Sequence, residues 1–154
     1  MKKIILVSVP ILIIIATGVI LLGSNEQTVE EKWLDEQVRS GPFSIDKDEY
    51  NLGEKIFIVV NGLNEEDKGK VMFFRPLNNT AWSNYITMDF DGMNKTQFNL
   101  YFEPKLSELQ NICSTNQLVG TWVVKFVGTE YSDINFKIMN QTSSWDKRTF
   151  DPVC

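Results

Sequence analysis

The hydrophobic pattern changes character twice along the chain. Residues 4–22 are an unbroken apolar run without a charged side chain, and residues 24–40 are polar and acidic, with Val29, Trp33 and Val38 at roughly helical spacing. Beyond Gly41-Pro42 the period becomes two. In residues 85–90, Ile86, Met88 and Phe90 alternate with Tyr85, Thr87 and Asp89; Phe98, Leu100 and Phe102 follow the same rule, as do Trp122, Val124 and Phe126, and Ile134, Phe136 and Ile138. Such alternation predicts strands with one face buried and the other wet. Residues 55–61 and 70–75 are apolar almost throughout and are expected in the middle of their sheets, with residues 43–46 as a first edge. Asn61-Gly62, Lys68-Gly69, Asp91-Gly92 and Gly128-Thr129 supply turn chemistry between the strands. The spacing predicts an all-β sandwich of about seven strands. In residues 104–113, Leu106, Leu109 and Ile112 recur every third position, which predicts a helical turn crossing between sheets.

The apolar run is long enough to span a membrane. At about 1.5 Å of rise per residue it reaches roughly 28 Å, close to the hydrocarbon thickness of a bilayer. Lys2 and Lys3 precede it, whereas Glu26, Glu30, Glu31, Asp35 and Glu36 follow, so the N-terminus is expected in the cytoplasm and the remaining chain outside. Ala16-Thr17-Gly18 is an alternative cleavage site for a secretory signal. Residues 19–22 continue the run past that point and favour an uncleaved anchor, in contact with lipid through residues 4–22. The expected organisation is a stub and transmembrane helix (1–23), an acidic juxtamembrane stalk (24–41), a sandwich (42–140) and a C-terminal tail (141–154).

Charge and composition narrow the function. The chain carries net charge −5, and without Lys2 and Lys3 the external part carries −7, an acidic balance that argues against nucleic acid as a partner. There is no histidine. That removes the commonest general base, the usual zinc and copper ligand, and any Ser-His-Asp or Cys-His nucleophile. No cofactor is expected. Cys113 and Cys154 are both external, and an even pair in an oxidising compartment reads as a disulfide pinning the tail to the body. Closing a loop of this length contributes about 3 to 4 kcal/mol in the chain-entropy account.

Two segments carry a resemblance. Tyr50-Asn51-Leu52-Gly53-Glu54-Lys55-Ile56 followed by Gly69-Lys70-Val71-Met72-Phe73, and Gly120-Thr121-Trp122-Val123-Val124-Lys125-Phe126 followed by Phe136-Lys137-Ile138, resemble the immunoglobulin-like modules of prokaryotic surface proteins. The likeness is strongest to small membrane-anchored sandwiches of ammonia-oxidising archaea and spans about residues 43–140. It implies an immunoglobulin-like fold. It implies little about function, since that architecture hosts many roles.

Several local patterns remain as candidate sites. Asn78-Asn79-Thr80, Asn94-Lys95-Thr96 and Asn140-Gln141-Thr142 are glycosylation sequons, expected at strand ends or turns. Asp89-Phe90-Asp91-Gly92-Met93-Asn94 imitates a calcium loop, but its glycine comes too early and no closing glutamate follows, so a hairpin turn is expected. Asp46, Asp48, Glu49 and Glu54 read as a solvated acidic loop rather than a metal site. Trp82, Tyr85, Tyr101 and Trp145 are the outward or loop aromatics, the residue types enriched at binding surfaces. Ala16, Thr17 and Gly18 form a small-residue patch suited to a neighbouring membrane helix. Together these point to a non-catalytic binding or structural module of the envelope, partnered by another envelope or membrane protein. The alternative is an accessory subunit of a larger membrane complex.

Overall fold

A computed structural model describes residues 38–142 and 150–154. The expected membrane helix, most of the stalk with Trp33, and Trp145 in the tail lie outside the described residues. Among those described, no helix is long and apolar enough to cross a membrane.

The described residues form nine strands in two sheets: β1 (Val38–Ser40), β2 (Phe43–Ile45), β3 (Glu49–Leu52), β4 (Ile56–Asn61), β5 (Lys68–Pro76), β6 (Trp82–Asp91), β7 (Gln97–Phe102), β8 (Gly120–Val127) and β9 (Ile134–Thr142). The first sheet runs β1-β2-β4-β7 and is antiparallel throughout; the second runs β3-β9-β8-β5-β6, with only β3 and β9 parallel. This is an all-β sandwich.

The inward residues of the two sheets interlock through aromatic rings. Phe43 of β2 meets Phe126 of β8 at 4.4 Å between centroids, and Phe73 of β5 meets Phe102 of β7 at 4.6 Å. Trp122 is fully buried between Tyr85, Phe102 and Phe136, and its indole N–H donates to the Leu118 carbonyl at 2.7 Å. That bond satisfies the one polar atom of the largest core side chain, which an unpaired position would penalise.

Several expectations change in detail. The two extra strands are short: β1 and β3 have three and four residues. Because β1 pairs with β2, the edge expected at residues 43–46 is interior, and the sandwich takes in residues assigned to the stalk. At the other end β9 runs to Thr142, past the expected boundary at 140. Lys68-Gly69 lies inside β5 and is no turn. A Cβ on Gly69 would stand 2.0 Å from the Val127 carbonyl oxygen, so this glycine admits the close approach of β8. The crossing over residues 104–113 contains only a 3₁₀ turn, Glu108–Gln110, whose Leu109 is 98% exposed, while Ile112 is buried. A second 3₁₀ turn, Thr115–Gln117, is closed by a capping box between Ser114 and Gln117.

Candidate functional site

The disulfide forms as expected, between Cys113 in the crossing and Cys154 in the tail, with Cα atoms 5.1 Å apart. The Val153 N–H donates to the Cys113 carbonyl at 3.1 Å, and Phe150 packs against the core. The tail residues 150–154 are thus held by a covalent bond, a hydrogen bond and an apolar contact.

The three sequon asparagines are exposed. Asn78 lies in the β5–β6 turn, where its side-chain oxygen accepts from the N–H and hydroxyl of Thr80. Asn94 lies between β6 and β7, and Asn140 near the end of β9.

Both acidic patterns are occupied by structure. Asp89 pairs with Lys70 at 2.7 Å and Asp91 with Lys68 at 3.0 Å, while the Asp91 side chain and carbonyl accept the N–H groups that close the following turn. Lysine bonding holds the Asp91 carboxyl below its usual range. The turn is not the expected hairpin, because it carries the chain from β6 in the second sheet to β7 in the first. In the other pattern, Asp46 accepts the Tyr50 hydroxyl at 2.6 Å and the Phe57 N–H at 3.1 Å, and Glu54 pairs with Lys47 at 2.7 Å. Burial pushes the Tyr50 phenol upward, and Asp46 pushes it the same way. For Glu54 partial burial acts upward, but bonds from Lys47 and Asn51 outweigh it and hold the carboxyl low. These carboxylates fasten the corner joining β2, β3 and β4. Among the described residues no three acidic or cysteine side chains converge as a metal site.

Of the expected outward aromatics, Trp82 and Tyr101 are exposed, and Tyr85 is corrected. A bulge opposite Phe73 and Phe74 shifts the β5–β6 register, and Tyr85 turns inward onto Trp122 and Phe102. Its hydroxyl accepts the Lys105 N–H at 3.0 Å.

The surface that stands out is one the alternation did not reveal. Phe57 and Val59 of β4 are 45% and 38% exposed, and Tyr101 of β7 is 64% exposed. Phe57 faces Tyr101 directly across the β4–β7 pairing, with ring centroids 5.9 Å apart, and the Lys55 ammonium sits 5.2 Å from the Tyr101 ring. Strand β4 is interior by hydrogen bonding, as its apolar sequence predicts, yet nothing among the described residues covers its second face. Arg39 is the only charged residue in the four strands of this sheet.

Next to this face the sandwich is open along one side, where β7 ends the first sheet and β6 ends the second. A groove of about 690 Å³ lies between them, lined by Phe90, Phe98 and Leu100 and by Lys68, Lys70 and Lys95. Lys68 and Lys70 are paired with aspartates, and no ion pair engages Lys95 among the described residues. Chemically the site offers apolar contact and aromatic faces beside a groove whose rim carries Lys68, Lys70, Lys95, Asp89 and Asp91. Comparison with protein-family models, with curated proteins and with solved structures finds no match to this chain.

Proposed function

We propose that this chain is a non-catalytic binding module of the cell envelope, an immunoglobulin-like sandwich held outside the membrane by residues 4–22, and that it contacts a neighbouring envelope or membrane protein through the outer face of its first sheet. The observation carrying the reading is the exposed Phe57, Val59 and Tyr101 group on a sheet almost free of charge. Contiguous apolar surface of this kind is costly to leave in water, and aromatic anchors at its centre are what interfaces use. The strand order supports the immunoglobulin-like assignment. With β2, β4 and β7 in the places of strands A, B and E, and β5, β6, β8 and β9 in those of C, C′, F and G, the two sheets follow the order of that fold without a D strand. Its departures from antibody domains are the buried tryptophan on β8 and a disulfide outside the sheets. The disulfide supports an oxidising, extracytoplasmic setting.

The test is cross-linked co-purification of the full-length protein from native membranes, comparing wild type with a Phe57→Ser/Tyr101→Ser variant and a Lys125→Ala/Lys137→Ala control on the second sheet. The reading expects loss of the wild-type partner only in the first variant. Unchanged recovery from a correctly folded Phe57→Ser/Tyr101→Ser protein would refute it.

A further inference from the structure

Among the described residues, strand β7 is an edge without the usual protection. Exposed edge strands are normally kept short or guarded by charge, proline or a bulge, because their free N–H and C=O groups recruit other strands. The other edges of this sandwich follow that rule. Strands β1 and β3 are short and carry Arg39 and Glu49, while β6 has a bulge at Tyr85 and the charges of Asp89 and Asp91. Strand β7, Gln97-Phe98-Asn99-Leu100-Tyr101-Phe102, has no charge, proline, glycine or bulge, and its β4 partner covers only one side. A six-residue uncharged segment without proline or glycine, half of it aromatic, is prone to strand addition.

We infer that β7 pairs antiparallel with β7 of a second copy, joining two first sheets into one continuous sheet across a two-fold axis. The register selects this occupant. Even-numbered residues of β7 face the core and odd-numbered ones face outward, so a self-pairing keeps its faces only where opposed residue numbers sum to an even value. With Asn99 opposite Asn99, Leu100 meets Phe98 on the inner side and Tyr101 meets Gln97 on the outer side. The same register carried past the strand ends brings Lys95 of each copy to Glu103 of the other, forming two opposite-charge pairs. Among the described residues Lys95 is the lysine of the groove without an ion pair, and the ion pair of Glu103 is with Lys105 at 3.7 Å. Shifting to Leu100 opposite Leu100 would instead oppose Lys95 to Lys105, so charge favours the first register. The inner side chains of the second copy, Phe98 and Leu100, then enter the groove between β7 and β6, whose lining already contains Phe90, Phe98 and Leu100. For a chain of net charge −5, this edge lets two copies meet without opposing carboxylates. The pairing is independent of whether the Phe57 face binds a further protein.

Sedimentation of the full-length protein in mild detergent tests the inference. The wild type should show a monomer–dimer equilibrium, and Asn99→Lys, which places two ammonium groups on the axis, should weaken it about tenfold or more. Lys95→Glu alone should weaken it several-fold, and Lys95→Glu combined with Glu103→Lys should restore it. Thr121→Lys on the second sheet should change nothing. A wild type that stays monomeric up to about 100 µM overturns the inference. So does a dimer that Asn99→Lys leaves intact, or one that the charge exchange does not rescue.

Discussion

The two sheets share one core and present opposite outer faces. On the second sheet, lysines of β5 and β8 are tied to aspartates by Lys68–Asp91, Lys70–Asp89 and Lys125–Asp133 pairs, and Lys137 of β9 is exposed beside them. On the first sheet the corresponding positions hold Phe57, Val59, Asn99 and Tyr101. Exposed ion pairs contribute little to stability, so the charged face is best understood as a surface that stays in water and repels further strands. The first sheet's face exposes aromatic and aliphatic side chains that, among the described residues, nothing covers. The contrast teaches that the core alone does not explain the sequence of this sandwich, since both sheets bury an apolar inner face while their outer faces differ in charge.

The comparison is broken most severely by removing what joins the faces. Phe43 of the first sheet is fully buried against Phe126 and Phe90 of the second, and Phe43→Ala should cost about 3 to 5 kcal/mol in urea unfolding. A cost below about 1 kcal/mol would mean the sheets are not packed in this way. Reduction of Cys113–Cys154 comes next, with a loss of about 2 to 4 kcal/mol read from the same unfolding curves with and without reductant.

Gly41 offers a sharper test, because it sits at the β1–β2 turn with φ +55° and a Cβ there would stand 2.5 Å from the Tyr131 ring. Gly41→Ala should cost about 1 to 3 kcal/mol through both the backbone and the displaced ring. The Tyr131 hydroxyl donates to Asp67 at 2.7 Å, and Tyr131 also packs on Phe43 and Phe126.

That contact has a sign in pH. Asp67 is held below the usual carboxylate range, chiefly by the Tyr131 hydroxyl, so its contribution is complete above the unfolded value near 4 and is lost as pH falls through the lower folded value. Asp91 and Glu54 act in the same direction. Desolvation first, and Asp67 second, push the Tyr131 phenol up to about 12, so its contribution is complete below pH about 10 and is lost as pH rises through about 12. Denaturation midpoints across pH should therefore fall at both extremes, and Tyr131→Phe should flatten both limbs. Midpoints for Tyr131→Phe that parallel the wild type would show that the bond carries no linkage.

The smallest thermodynamic effect is expected where the functional effect is largest. Tyr101→Ser should shift stability by no more than about 0.5 kcal/mol while weakening partner recovery, and Lys125→Ala on the other face should leave both unchanged. Equal loss of partner from the two variants would erase the distinction between the faces.

The alternation in residues 85–90, 97–102, 122–127 and 134–138 made seven of the strands legible in advance, counting the two apolar runs that became β4 and β5 and the short segment that became β2. It could not show β1 and β3, because three or four residues hold too few periods to stand out and gain their order from pairing with β2 and β9. Tyr85 was misread because one extra residue at a bulge reverses every side chain before it. Leu109 was misread because threefold spacing describes a helix only if the helix packs on something, and this turn projects into solvent. The disulfide was legible because two cysteines allow one pairing.

The exposed apolar face of β4 and β7 was not legible as such. An apolar strand interior to a sheet and an apolar strand buried on both faces have the same sequence, and hydrogen-bond position does not determine coverage. What sequence alone determined is the set of strands with a strong period, the acidic, histidine-free chemistry and the cysteine pair, since each is a property of residue identity or local spacing. Only the tertiary structure decided which strands became edges, which face of β4 the described residues leave uncovered and which lysines found aspartates, because these depend on contacts between segments distant in the chain.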